Sequence, residues 1–225
     1  MNQEKELIST ARKAGLAYLA LALSGMVGVL WLHPQIFVSS DPAKTLAHLT
    51  EKETLARIRL LLELTIVAAQ ALAAVYFYKL FKDINPFAAW ALAAWGTMNA
   101  GLIIISAIAM GGAIDVAHAE MPHADQLIMV GLFVQLIRHA WGVGGLFFGL
   151  WLMPMGYMVM SSKCMPRALG ALLILGGVGY LLSTCLGYLG MKGAWVGALP
   201  MLATAGEFWM IGYLLIFGIR TSKEV

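Results

Sequence analysis

The fold is decided by the stretch from residue 86 to residue 110, PFAAWALAAWGTMNAGLIIISAIAM, which carries no charged side chain. Because the hydrocarbon layer of a bilayer offers no water to backbone N–H and C=O groups, a chain crosses it only where these groups bond one another. A helix of about 20 apolar residues is long enough to cross. Pro86 follows Asn85, at a position where the first turn of a helix tolerates proline. The stretch is therefore predicted to be a membrane-spanning α-helix.

Five further apolar runs flank this stretch. The chain of 225 residues is 60% hydrophobic and 12% charged, with a mean hydropathy of +0.80. A soluble domain of this length could not bury so much apolar surface in one core. We therefore predict an all-α, polytopic transmembrane helical bundle that forms a single domain over residues 1–225. Its six spans are expected at about 14–32, 58–81, 86–110, 135–160, 168–189 and 199–219.

The basic residues indicate how these spans are oriented, because Lys and Arg are enriched in loops that stay in the cytoplasm. Alternating the loops between the two sides puts nine basic residues on the side of the termini and five on the other. Both termini are therefore expected in the cytoplasm. The nine are Lys5, Arg12, Lys13, Lys79, Lys82, Lys163, Arg167, Arg220 and Lys223, and the five are Lys44, Lys52, Arg57, Arg59 and Lys192.

Two stretches leave alternatives open. The run at 14–32 follows basic residues, as the apolar part of a signal peptide does, but its length favours a retained anchor. Residues 115–135 would make the fourth span too long for one crossing if they joined it. A separate interfacial helix before span four is the preferred interpretation, and a re-entrant segment is the alternative.

Charged residues inside the spans are the main functional signal. An ionisable side chain at membrane depth is costly and usually faces a partner or a cavity. We expect Arg138 to pair with Glu63 or Glu207, all in the outer half of the membrane. The pattern is interpreted equally well as a ligand pocket and as a structural lock between helices. The predicted polar cluster comprises Arg59, Glu63, Asn99, Arg138, His139, Ser183, Thr184 and Glu207.

Small residues form stripes at helical spacing on spans three, four and five. Such stripes let neighbouring helices approach closely, so these spans are expected to pack tightly. Arg138 lies on the stripe of span four and is therefore expected to point at a neighbouring helix. The stripe of span four is Gln135, Arg138, Gly142, Gly145, Gly149, Leu152 and Gly156, and that of span five is Gly176, Gly179, Ser183 and Gly187.

One predicted outer loop holds His118, Glu120, His123 and Asp125. Imidazole and carboxylate groups would suit zinc or another divalent ion, but their spacing matches no recognised ligand motif. A solvated loop is the favoured interpretation, and no cofactor is expected. The net charge of +3 is too small and too scattered to indicate nucleic-acid binding.

Short motifs are spread over the chain from about Arg57 onward. Within 147–180 they comprise Phe147, Phe148, Gly149, Leu150, Gly156, Tyr157, Ser161 or Ser162, Pro166, Arg167, Leu169, Gly170, Gly179 and Tyr180; elsewhere they comprise Arg57 or Arg59, the segment 76–81, His139 and Glu207. This set resembles the bacterial membrane family known as domain of unknown function 4386, and 147–180 is its most specific part. The resemblance covers most of the chain. It implies a six-helix protein of the bacterial plasma membrane and supplies no activity, substrate or cofactor.

The leading functional hypothesis is a non-enzymatic membrane protein, transporter-like or a sensor component, that binds a small molecule, lipid or ion in an outward-facing polar pocket among spans two, four, five and six. A membrane enzyme acting near the outer leaflet, with or without the assistance of a metal ion, is the first alternative, with His139 and Glu63 or Glu207 as acid-base groups. A stabilising subunit of a membrane complex is the second. The expected partners are the lipid bilayer, a small ligand, and either copies of this chain or a membrane complex.

Overall fold

The computed structural model describes residues 2–191 and 193–219; Lys192, Arg220 and Lys223, used above for orientation, lie outside them. The described residues are helical, with short turns and no strand. The helices are α1 (Asn2–Gly25), a π-helical segment (Met26–Leu32), α2 (His33–Ile36), α3 (Pro42–Glu51), α4 (Glu53–Phe81), α5 (Pro86–Ala117), α6 (His123–Ser162), α7 (Arg167–Tyr188), α8 (Ala194–Ala198) and α9 (Met201–Ile216).

Six helical stretches among the described residues are long and apolar enough to cross a membrane, which confirms the predicted number of spans. Most of them run past the predicted limits, because a helix does not have to end where the hydrocarbon layer ends. The chain is thus an all-α, multi-pass membrane protein. The six stretches are Glu4–Ile36, Glu53–Phe81, Pro86–Ala117, His123–Ser162, Arg167–Tyr188 and Ala194–Ile216.

The region before the fourth span differs from its prediction. Helix α6 runs without a break from His123 to Ser162, so neither a separate interfacial helix nor a re-entrant segment exists there. Its 40 residues make it about 60 Å long, roughly twice the thickness of the hydrocarbon layer. The helix continues because Val130, Val134 and Ile137, spaced by four and three, are buried on one face.

The described residues divide into two compact units. Unit one draws on Met1–Leu19, Ala69–Asn99 and Gly144–Val225, and unit two on Ala20–Ala68 and Ala100–Val143. Helices α4, α5 and α6 each contribute residues to both units, whereas α7 and α9 belong to unit one and α3 to unit two.

In unit one, glycines let α7 approach both α6 and α9. A Cβ atom built on Gly149 of α6 would lie 2.7 Å from the carbonyl oxygen of Gly177 on α7. One built on Gly176, on another face of α7, would meet the backbone of Ala203 on α9. Real Cβ atoms do not come this close to backbone, so glycine is required at these positions. The predicted close packing of spans four and five is confirmed.

In unit two, apolar side chains from α3, α4, α5 and α6 share one core, with Leu49, Ile114 and Val134 entirely or almost entirely buried in it. Asp41 caps the start of helix α3, since its Oδ1 accepts a hydrogen bond from the backbone N–H of Lys44 at 3.0 Å. This backbone hydrogen bond, together with the charge of Lys44, holds the pKa of the Asp41 carboxyl below its ordinary value. The helix start is therefore well defined next to the core.

Replacing Thr45→Val should destabilise this part of unit two. The buried Thr45 hydroxyl accepts a hydrogen bond from the backbone N–H of Val38 at 2.9 Å, so valine would leave that N–H group without a partner. The expected cost is about 1–3 kcal/mol, measured as a lower melting temperature of the purified protein in detergent. Thr50→Val is the matched control, since the exposed Thr50 hydroxyl bonds only to carbonyl groups of its own helix. Equal melting of the two variants would contradict the role given to Thr45.

Candidate functional site

An ion pair lies entirely inside unit two. Arg59 and Glu63 are one turn apart on α4, and a guanidinium N–H at Nη2 of Arg59 donates to Oε2 of Glu63 at 2.7 Å. Both side chains are 0% exposed. Residues four apart stack on one face of a helix, so the local sequence alone brings these two groups together. Burial removes the water that would otherwise weaken their attraction.

Two further side chains complete the hydrogen bonding of Glu63. The indole N–H of Trp141 on α6 donates to Oε1 of Glu63 at 2.8 Å and also to the hydroxyl oxygen of Ser106 on α5 at 3.2 Å. The two carboxylate oxygens of Glu63 therefore accept hydrogen bonds from two helices, one from Arg59 on α4 and the other from Trp141 on α6. Neither Trp141 nor Ser106 was among the predicted cluster residues. A tryptophan three residues after a charged residue in a span was a usable signal, since a buried indole N–H needs an acceptor.

Arg59 has more donors than the surrounding protein uses. Its Nε and Nη1 groups are buried and have no hydrogen-bond partner among the described residues, and the same holds for Nδ1 of His33. The imidazole of His33 is close enough to Arg59 to interact with its charge. It also stacks on the ring of Phe37, with 4.9 Å between the ring centroids. The arrangement provides buried N–H groups that an acceptor could use.

The π-helical segment lies directly against these donors. A Cβ atom built on Gly28 of this segment would lie 3.3 Å from Nη1 of Arg59, so glycine lets the guanidinium reach the backbone there. Wide helical turns of this kind are rare and occur frequently at functional sites. The site in unit two thus consists of Arg59, Glu63, Trp141, Ser106 and His33, beside a widened turn.

Four of the eight predicted cluster residues belong to unit one. Asn99 is fully buried on α5, whereas Ser183 and Thr184 of α7 are half-buried. Glu207 of α9 is half-buried and accepts a hydrogen bond from the hydroxyl of Tyr18 on α1 at 2.7 Å. Tyr18 was not predicted, because nothing in the sequence of the first span indicates which side chain of the sixth it meets.

The predicted ion pair of Arg138 is wrong. Arg138 and His139 are both exposed on α6, and the carboxylate of Glu63 bonds to Arg59 and Trp141 instead. Residues 138 and 141 are close to the same face of the helix, so the sequence pattern did not show which of them turns inward.

The glycine stripe of α6 packs against α7 within unit one. Its contacts run from Gly156 to Gly145, where a built Cβ atom would meet Thr184 near the end of α7. Arg138 was placed on the same stripe but belongs to unit two, where its side chain is exposed.

The loop residues considered as weak metal ligands do not form a ligand cluster. Nδ1 of His118 contacts the carbonyl oxygen of Ile114 at 2.9 Å, and its Nε2 lies 3.4 Å from Oε2 of Glu53. Within residues 2–191 and 193–219, no group of three or more His, Cys, Asp or Glu side chains could hold a metal ion. Glu120, His123 and Asp125, the other residues considered, thus belong to no such group.

Six membrane-spanning helices with an ion pair buried among them define the class of the molecule: a multi-pass α-helical integral membrane protein. The chain belongs to the family described as Domain of unknown function (DUF4386), whose model matches residues 13–218. The match covers most of the chain and confirms the resemblance drawn from the motifs in 147–180. No curated protein and no solved structure matches the chain. The family description assigns no activity, so any function has to be argued from the site.

Proposed function

We propose that the protein is a non-enzymatic, ligand-binding membrane protein, a transporter-like or sensor component, whose ligand is bound at Arg59. One observation carries this proposal. The guanidinium of Arg59 is fully buried, yet two of its nitrogen atoms, Nε and Nη1, have no hydrogen-bond partner among the described residues. Leaving a buried donor without an acceptor costs about 1–3 kcal/mol, and more when the group is charged. A ligand that supplies acceptors would recover that free energy.

The charges of the site indicate what kind of acceptor the ligand carries. Arg59 and Glu63 neutralise each other at 2.7 Å, so an anion would add an uncompensated charge to a buried site. An uncharged oxygen acceptor, such as a carbonyl, ester or hydroxyl group, would satisfy Nε and Nη1 without that cost. Lipid ester groups and small carbonyl compounds both carry such oxygens.

The proposal also places the site in the outer half of a bacterial plasma membrane, with both termini in the cytoplasm. The distribution of basic residues supports this orientation, and the family resemblance supports the bacterial location. In that orientation a ligand would reach Arg59 from the outer side or from the outer leaflet.

The competing function is a structural lock, which is favoured by the fact that both oxygens of Glu63 already have donors within the protein. The double variant Arg59→Met with Glu63→Met separates the two, because it removes both charges while keeping apolar volume. A buried pair with only a structural role can be replaced in this way with little loss of stability, or with a gain.

The measurement is native mass spectrometry of the protein released from mild detergent. We expect a bound small molecule or lipid on the wild type that is absent from the double variant. The control is Arg57→Met with Glu53→Met, an exposed pair on the same helix with a 2.7 Å ion pair; this variant should keep the bound mass. If all three proteins carry the same bound mass, no ligand depends on Arg59. If the Arg59 and Glu63 double variant is also as stable as the wild type, the pair has only a structural role that two apolar side chains can replace.

A further inference from the structure

A second group of buried polar side chains lies in unit one, separate from the Arg59 site. Gln70 of α4, Asn99 of α5 and Trp151 of α6 are all 0% exposed. Five of their atoms have no hydrogen-bond partner among the described residues: Nε2 and Oε1 of Gln70, Nδ2 and Oδ1 of Asn99, and Nε1 of Trp151. Buried polar atoms in native proteins nearly always have a partner, so five within three residues require an explanation.

Three of these five atoms lie directly against two glycines. A Cβ atom built on Gly96 of α5 would lie 3.2 Å from Nε1 of Trp151 and 3.3 Å from Nε2 of Gln70. One built on Gly144 of α6 would lie 3.3 Å from Oδ1 of Asn99. Gly96 and Asn99 are three residues apart and thus share one face of α5. The glycines therefore allow these polar atoms to come close to the backbone of α5 and α6.

We propose that Gln70, Asn99 and Trp151 bind a small uncharged molecule that both donates and accepts hydrogen bonds. The three residues present three N–H donor groups and two carbonyl oxygens, and none of them is charged. A cation would use only the two oxygens and an anion only the N–H groups, which would leave the remaining polar atoms buried without partners. An uncharged molecule with both kinds of group satisfies all of them.

The site has aromatic walls that shape it. The rings of Tyr18 and Phe77 pack against Trp151, with centroid separations of 5.1 Å and 6.0 Å. Packed rings hold the indole in one orientation and so keep its N–H group directed at the site. The ligand chemistry is shared by an ordered water and by a solute of a few heavy atoms, such as glycerol or acetamide.

The first experiment asks whether the site is occupied. Ultraviolet resonance Raman spectra of wild type and Trp151→Phe in detergent give a difference spectrum that isolates Trp151 from the other six tryptophans. We expect this spectrum to show a hydrogen-bonded indole N–H. A spectrum of a free indole N–H would overturn the proposal.

The second experiment uses a near-isosteric change, Gln70→Met, which removes the amide and keeps the shape of the side chain. If the amide binds a ligand, the melting temperature falls by roughly 2–4 °C. The matched comparison is Gln126→Met, because Nε2 of Gln126, unlike that of Gln70, donates hydrogen bonds to the backbone carbonyl oxygens of Val116 and Ala119. A rise in the melting temperature of Gln70→Met would contradict the proposal, since removing an unpartnered buried amide stabilises a protein.

The same two proteins distinguish the source of the ligand. If a solute is bound, glycerol or acetamide stabilises the wild type saturably and by more than it stabilises Gln70→Met. If water is bound, both solutes shift the two proteins equally while the indole N–H of Trp151 stays hydrogen-bonded. Either result supports the proposed site, and the Arg59 variants described above should leave both results unchanged.

Discussion

The variant Glu63→Leu should lose about 3–5 kcal/mol of stability, because it leaves the guanidinium of Arg59 buried with no counter-charge. Glu63 is 0% exposed, and its two oxygens accept hydrogen bonds from Arg59 and Trp141 at 2.7 and 2.8 Å. Leucine would remove both acceptors at once. The measurement is the melting temperature of the purified protein in detergent, together with the amount of folded protein recovered from the membrane.

Glu53→Leu is the control for this prediction. Glu53 and Arg57 form an ion pair of the same spacing and the same 2.7 Å distance on α4, but the two side chains are 40% and 58% exposed. Exposed pairs contribute little, so this variant should melt close to the wild type. Similar melting temperatures for the Glu63 and Glu53 variants would show that burial of the first pair has no energetic consequence.

Gly176→Ala should be the second strongly destabilising change. An added methyl group on Gly176 would overlap the backbone of Ala203, and backbone cannot rotate aside as the end of a side chain can. Helices α7 and α9 would have to move apart, with an expected loss of about 1–3 kcal/mol. The loss should appear as a lower melting temperature in detergent.

A second glycine of α7 provides the comparison for Gly176. A Cβ atom built on Gly187 would meet no atom within 4 Å, so Gly187→Ala should leave the melting temperature unchanged or raise it slightly. If Gly176→Ala were tolerated as well as Gly187→Ala, the close approach of α7 and α9 would not be required for stability.

The polar residues show which contacts of the site can be predicted from the sequence and which cannot. Arg59 and Glu63 were both placed in the cluster, and their spacing of four already puts them on one face of α4. Trp141, the partner of Glu63, was missed because Arg138, one turn earlier on α6, is charged and was expected to make that contact. Whether residue 138 or residue 141 faces inward depends on a rotation of the helix of about 60°, which follows from roughly 100° per residue.

The eight-residue cluster was predicted as a single group because alternating spans place all its members at a similar depth. Depth, however, does not specify which helices are neighbours. The observed partners of Glu63 come from α4 and α6, and the observed partner of Glu207 comes from α1. The proximity of Gln70 and Trp151 depends on the contact of three helices around Gly96.

The sequence by itself determined that the chain crosses the membrane six times as helices. That property is local, because each apolar segment has to satisfy its own backbone within the lipid whatever its neighbours do. Only the tertiary structure decided which side chain of another helix bonds to Glu63, where α6 begins, and which polar atoms face one another. Those features depend on the rotation and register of helices far apart in sequence, and the packing of side chains such as Val134 and glycines such as Gly149 sets both.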